Sequence, residues 1–214
     1  MLEYTIRLVR ELTNAQVDEV VALSVRAFKD DPTTRILTGD NSDLVDPLFR
    51  SIVRAGELCG AIYLATNKSG SVLAVGLWFG PGQELWSTVE QRELGFNDLF
   101  ARLSLDTQKW WTEVYGPRLA EFLRGCIGNK KRESWYANLI ATDPHWQRHG
   151  IATALVEVVY QRAIADKTIL ALCTSNETNT VVYQRMGFEV KGRVDLPSPR
   201  GEIPTTCLTK TPSE

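Results

Sequence analysis

A chain of 214 residues with 43% apolar residues can bury a sizeable core, and its length fits one α/β domain over residues 1–214. A formal charge of −2 and a pI near 5.8 give no electrostatic reason to bind nucleic acid. The cysteines at 59, 126, 173 and 207 have no CxxC spacing, no apolar run is long enough for a bilayer, and Met1 to Arg7 lack the basic-then-apolar order of a signal peptide. Neither a zinc centre, a disulfide framework nor a membrane segment is expected, and the expected location is cytoplasmic.

In chain order, alternation predicts a strand over residues 4–9, then a helix over 15–28 with Asn14 as its cap. A second helix is expected over 44–58. Residues 61–66 and 71–79 read as an antiparallel pair around the turn-forming Asn67-Lys68-Ser69-Gly70. Residues 82–133 read as helix-rich, longer than a simple connection needs, and carry Trp86, Phe96, Phe100, Trp110, Trp111, Tyr115 and Phe122. These aromatics either fill an accessory helical core or line an apolar substrate pocket. The basic Lys130-Lys131-Arg132 reads as a solvated turn.

A strand follows over 135–142, then Gln147-Arg148-His149-Gly150-Ile151-Ala152, then an amphipathic helix over 153–165. Such a strand, turn and helix leaves backbone N–H groups free in the first helical turn, where the helix dipole also favours an anion. A diphosphate-bearing cofactor is one reading and an ordinary connection the other. The spacing contains neither a Walker loop nor a three-glycine dinucleotide fingerprint, which argues against nucleoside triphosphates and NAD. Residues 169–173 read as a buried strand with Cys173 a core residue. A short helix over 180–186 follows, begun by Asn176 or Asn179 and ended by Gly187, and a late strand ends in Cys207-Leu208-Thr209.

Two of these segments together resemble a known family. Ile140-Ala141-Thr142-Asp143-Pro144 with Gln147 to Ala152 resembles the acetyl-coenzyme A motif of the GNAT N-acetyltransferases, with Thr142 and Ala152 where valine and a second glycine are common. Asn179 to Phe188 resembles that family's Asn-x-x-x-Tyr-x-x-x-Gly-Phe ending. Residues 27–35 and 194–197, with the late strand, are similar in arrangement to puromycin N-acetyltransferase-like members. The resemblance implies an α/β GNAT fold, a mixed and mainly antiparallel central sheet flanked by helices, with a helix-rich segment between the third and fourth strands.

It also implies acetyl-coenzyme A as cosubstrate, no metal, and direct attack by a primary amine in a ternary complex. The cofactor-binding residues it implies are Ile140, Ala141, Thr142, Gln147, Arg148, His149, Gly150, Ile151, Ala152, Thr153, Asn179 and Tyr183. Tyr183 stands at the family's general-acid position. Tyr136 stands where some members carry a catalytic carboxylate; Glu84, His145 and water are the other candidate bases. His149 reads as a phosphate-side residue. Asn179 either bonds the pantetheine arm or caps its helix, and Asp31 and Arg35 either meet an acceptor or form a surface turn. A small-molecule acceptor is expected if the aromatic segment closes an apolar pocket; a protein acceptor and a catalytically silent acyl-coenzyme A-binding module are the alternatives.

Overall fold

Seven strands form one sheet in the order β1-β2-β3-β4-β5-β7-β6 in a computed structural model that describes residues 3–212. They are β1 (Tyr4–Val9), β2 (Ala61–Asn67), β3 (Val72–Phe79), β4 (Trp135–Thr142), β5 (Leu170–Thr174), β6 (Glu189–Ser198) and β7 (Gly201–Lys210). Only β4 and β5 run parallel, so the expected mixed, mainly antiparallel central sheet is present. Met1 and Leu2, part of the N-terminal segment read for a leader, lie outside the described residues, as do Ser213 and Glu214.

Three helices precede β2: α1 (Asn14–Ala27), α2 (Pro32–Leu37) and α3 (Val45–Cys59). Helix α1 is capped by Thr13 and not by Asn14, because Thr13 and Gln16 bond each other's backbone N–H in a capping box. Strands β2 and β3 are buried on both faces, and alternation divides their side chains between two layers. Ile62, Leu64, Val75 and Leu77 pack against α1 and α3, while Tyr63, Ala65 and Ala74 pack against α9 (Ile151–Ala165). Coverage on both faces explains why these strands read as nearly continuous apolar runs.

Between β3 and β4 lie α4 (Val89–Gln91), α5 (Asn97–Arg102), α6 (Leu105–Trp110), α7 (Gly116–Ile127) and α8 (Lys130–Glu133), the helix-rich insertion the sequence predicts. Its aromatics mostly build an accessory core: Trp86, Phe96, Phe100 and Trp111 form a ring cluster against the α3 side. Trp110 instead packs with Leu196 and Ile203 of the last hairpin. Helix α10 (Glu177–Arg185) is capped by Asn176, whose side chain accepts from the N–H of Thr178 and Asn179, and it ends at Gly187 with φ +87°. Among the described residues no helix is long and apolar enough to cross a membrane.

Candidate active site

The site begins where two strands stop pairing. β4 and β5 are matched only from Trp135 to Ala137 against Leu170 to Leu172, and beyond that they part. Asn138 is the extra residue of a β-bulge, since Leu77 pairs with Leu139 and Trp78 with Ala137. The bulge exchanges the two sides of the strand. Before it, Trp135 and Ala137 pack on the α9 face; after it, Leu139 and Ala141 pack on the α1 and α3 face. In the same way the Trp135 N–H donates toward β5, at Ile169, whereas the Asp143 N–H donates toward β3, at Leu73. Since N–H directions alternate along a strand, those of Ala141 and Leu139 belong to the β3 ladder and those of Ile140 and Thr142 point into the gap.

The gap opens into a cavity of about 270 Å³ lined by Ile140 of β4 and by Asn179 and Tyr183 of α10. Tyr136, Asn138 and Cys173 line it too, and Phe28, Leu37, Phe49 and Ile52 supply an apolar wall. Of the aromatics in the insertion only Tyr115 reaches this lining. Of the two readings of that insertion the accessory core holds for most of its aromatics, and the apolar wall of the cavity comes mainly from α1, α2, α3 and their junctions. The sequence signal for it was present, as Phe28 and Phe49 end or punctuate apolar helix faces, but their facing (ring centroids 5.3 Å apart) is a tertiary fact.

The turn after β4 is braced by its side chains and leaves its backbone donors open. Asp143 accepts from Arg26 Nε and Nη2 at 3.0 and 2.6 Å and from the His145 N–H at 3.0 Å. Burial pushes the Asp143 carboxyl up, but the Arg26 guanidinium and the His145 bonds overcome this and hold it below the usual carboxylate range. Gln147 Nε2 donates to the Thr142 carbonyl, and the His149 ring meets the carbonyls of Trp146 and Gln147. Arg148 and Gly150 both have positive φ, 63° and 79°, which turns the chain into α9. From Arg148 to Thr153 no backbone N–H finds an acceptor among the described residues. The Arg148 side chain is exposed and has no ion-pair partner among them. A row of free donors beside a cation at the start of a 15-residue helix fits a diphosphate.

Tyr183 rests edge-on against Phe188, and burial pushes its phenol up to about 12. Tyr136 is also held well above the ordinary tyrosine value, by burial and then by the neighbouring thiols of Cys173 and Cys207. A phenol so held is neutral and offers a proton. In that state Tyr136, one of the candidate bases, is a proton donor rather than an acceptor. Cys173 is not the plain core residue its strand suggested, for it is half-buried on the cavity wall. Its thiol is lowered by the Cys207 thiol and the Tyr136 hydroxyl, against the opposing effect of burial.

The structure does not bring the other candidate bases to the cavity. Glu84 lies between Lys131 Nζ at 2.9 Å and Arg132 Nε at 3.3 Å, so the basic cluster read as a solvated turn neutralises it. His145 is turned to Asp143, with Nδ1 3.0 Å from Oδ1. Arg35 pairs with Asp40 at 2.9 Å and is absent from the lining, whereas Asp31 is part of it. Ala141 and the buried Ile151 side chain face the core. Asn138 was missed by sequence reasoning; its one signal is a polar residue inside an otherwise apolar strand. Among the described residues no group of three or more His, Cys, Asp or Glu is placed to hold a metal ion.

Comparison with known proteins agrees with this geometry. The family described as acetyltransferase (GNAT) domain matches residues 110–190, the stretch holding β4, the turn, α9, β5 and α10. The fold is similar to that of a histone acetyltransferase HPA2 and related acetyltransferase from Corynebacterium glutamicum, at 21% identity and a TM-score of 0.64 over 100% of this chain and 98% of that one. It is also similar to the ribosomal-protein-S18-alanine N-acetyltransferase of Escherichia coli, at 14% identity and a TM-score of 0.51 over 99% and 97%. A Bacillus subtilis acetyltransferase in complex with CoA aligns at 15% identity and a TM-score of 0.50 over 99% and 100%. The family's match thus spans the splayed strands and the turn into α9, and the fold of the chain is that of these GNAT acetyltransferases.

Proposed function

We propose that residues 1–214 act as one domain that acetylates the primary amine of a small molecule by direct attack within a ternary complex. One observation carries the reading: Tyr183 and Asn179 of α10 and Ile140 of β4 line one cavity beside the point where β4 and β5 cease to pair. Acetyl-coenzyme A supplies an activated thioester carbonyl there. The free N–H groups from Arg148 to Thr153, with the Arg148 guanidinium, receive the diphosphate. The Ile140 N–H is aimed at the carbonyl oxygen that becomes negative, and the Thr142 N–H and Asn179 side chain bond the pantetheine arm. Gln147 and His149 keep the turn in shape through the carbonyls they contact.

Tyr183, protonated at neutral pH, gives its proton to the departing sulfur. The ammonium must lose a proton before attack; with Tyr136 neutral, Glu84 ion-paired and His145 held by Asp143, water in the cavity takes it. A cavity of about 270 Å³ suits a small acceptor better than a peptide. The likeness of residues 27–35 to puromycin N-acetyltransferase-like members supports placing that segment at the acceptor end. Four free thiols suit a reducing cytoplasm.

The test is calorimetric titration with acetyl-coenzyme A, followed in the same preparation by free-thiol release with amine and peptide panels. Amine-dependent release is expected. Binding without release from any acceptor would mark a silent acyl-coenzyme A module, and release with peptides alone a protein N-acetyltransferase.

A further inference from the structure

We propose that the acceptor is a monoamine with an apolar body and that Asp31 receives its ammonium, an assignment that rests on the acetyltransferase reading above. Among the described residues lining the cavity, Asp31 is the only one with a charged side chain. Its Oδ2 accepts from the Thr34 N–H at 2.7 Å and the Thr34 hydroxyl at 2.8 Å. Oδ1 accepts from none of the described residues, and no cation pairs with the carboxylate. Thr34 thus fixes the orientation of the group while one oxygen stays open.

The position of that oxygen is set from the cofactor side as well. Thr33 Oγ1 lies 2.5 Å from Ser175 Oγ, which ties the start of α2 to the end of β5. The next residue, Asn176, caps the helix that carries Tyr183. Asp31 and the proposed acid therefore share one short, cross-linked frame. In the same cavity Phe28, Phe49, Leu37 and Ile52 supply a hydrocarbon and aromatic wall. A charge beside such a wall is costly without a partner, and an ammonium on an apolar body satisfies both surfaces at once. A second ammonium, or a carboxylate on the acceptor, would be desolvated against that wall without a counter-charge.

Asp31→Asn tests this cleanly, because asparagine keeps a side-chain oxygen for the Thr34 N–H and is an equally good helix cap while removing the charge. The probes are 2-phenylethylamine, spermidine and an alanine-initiated peptide, read by free-thiol release, with acetyl-coenzyme A binding measured separately by calorimetry. The expected result is a preference of wild type for 2-phenylethylamine. In the variant, kcat/KM for that amine falls about 10- to 100-fold, chiefly through KM, with acetyl-coenzyme A affinity unchanged within about twofold. Unchanged kcat/KM in the variant overturns the proposal. So does wild-type preference for spermidine or peptide, or acetyl-coenzyme A binding without release by 2-phenylethylamine. Each of those leaves cofactor binding intact, whereas folded wild type that fails to bind acetyl-coenzyme A overturns the transferase reading itself.

Discussion

Tyr183 and Tyr136 share one cavity, yet their neighbours give them different work. Tyr183 is raised by burial alone and lines the cavity with Ile140; Tyr136 sits among thiols and beneath Lys131, whose Nζ is 5.3 Å from its ring centre. Replacing Tyr183 by Phe removes the hydroxyl and keeps the packing on Phe188. We expect kcat to fall about 10- to 100-fold with acetyl-coenzyme A affinity nearly unchanged, measured by steady-state kinetics and calorimetry. Because the phenol is pushed up to about 12, it stays protonated through the working range, and a wild-type kcat profile between pH 7 and about 10 should show no alkaline fall from this group. Cys173, lowered and on the cavity wall, should be the first thiol alkylated by iodoacetamide, with acetyl-coenzyme A slowing the reaction; mass spectrometry that finds Cys207 modified first would contradict this. Tyr183 was legible through the resemblance of residues 179–188 to the GNAT ending; without it, a tyrosine on a short helix reads as packing. Asp31 was legible as either an acceptor contact or a surface turn, and nothing local chose between them, because only the fold says that the turn ends at a cavity.

At the scale of an element, the turn between β4 and α9 offers backbone donors, so on the proposed reading its shape is what mutation should disturb. Gly150 has φ +79°, and a Cβ placed there would meet nothing within 4 Å, so any cost of Gly150→Ala is conformational. We expect a loss of about 1–2 kcal/mol in thermal unfolding, with a weaker acetyl-coenzyme A titration as the donor row shifts. Asp143 joins this turn to α1 through Arg26, whose side chain is 49% exposed, which screens the pair. Asp143→Ala should cost about 1–2 kcal/mol at pH 7. As the folded-state carboxyl lies below its unfolded value, that contribution is present above the unfolded pKa and disappears as pH falls through the folded one. Wild type and variant should therefore converge in thermal stability in strong acid; a constant gap would show that the carboxylate's charge is not its source. The sequence marked this turn through Gly150 and its flanking periodicities. The bulge at Asn138 left only a faint polar mark, because a bulge is a mismatch between two strands and only one of them is local.

For the whole molecule, the cavity is a meeting of parts distant in the chain: α1 to α3, β4, β5 and α10. A ligand that spans them binds only the folded state. At about 100 times its Kd, acetyl-coenzyme A should stabilise the protein by about 2.7 kcal/mol, seen as a rise in melting temperature of roughly 5–10 °C that grows with ligand concentration. A melting temperature indifferent to acetyl-coenzyme A would count against the splay as its site. The sequence by itself determined the strand and helix types, the turn into α9 and the Asn179 to Tyr183 helix, because periodicity, caps and glycines act over a few residues. The same local logic chose the wrong cap for α1 and could not choose between a pocket and an accessory core for the aromatics of residues 82–133. Only the tertiary structure decided those questions, together with the burial of Tyr136 among thiols, the ion-paired Glu84 and the place of Asp31. Burial, charge pairing and the parting of β4 from β5 depend on which segments meet, and that is settled by packing across the whole sheet.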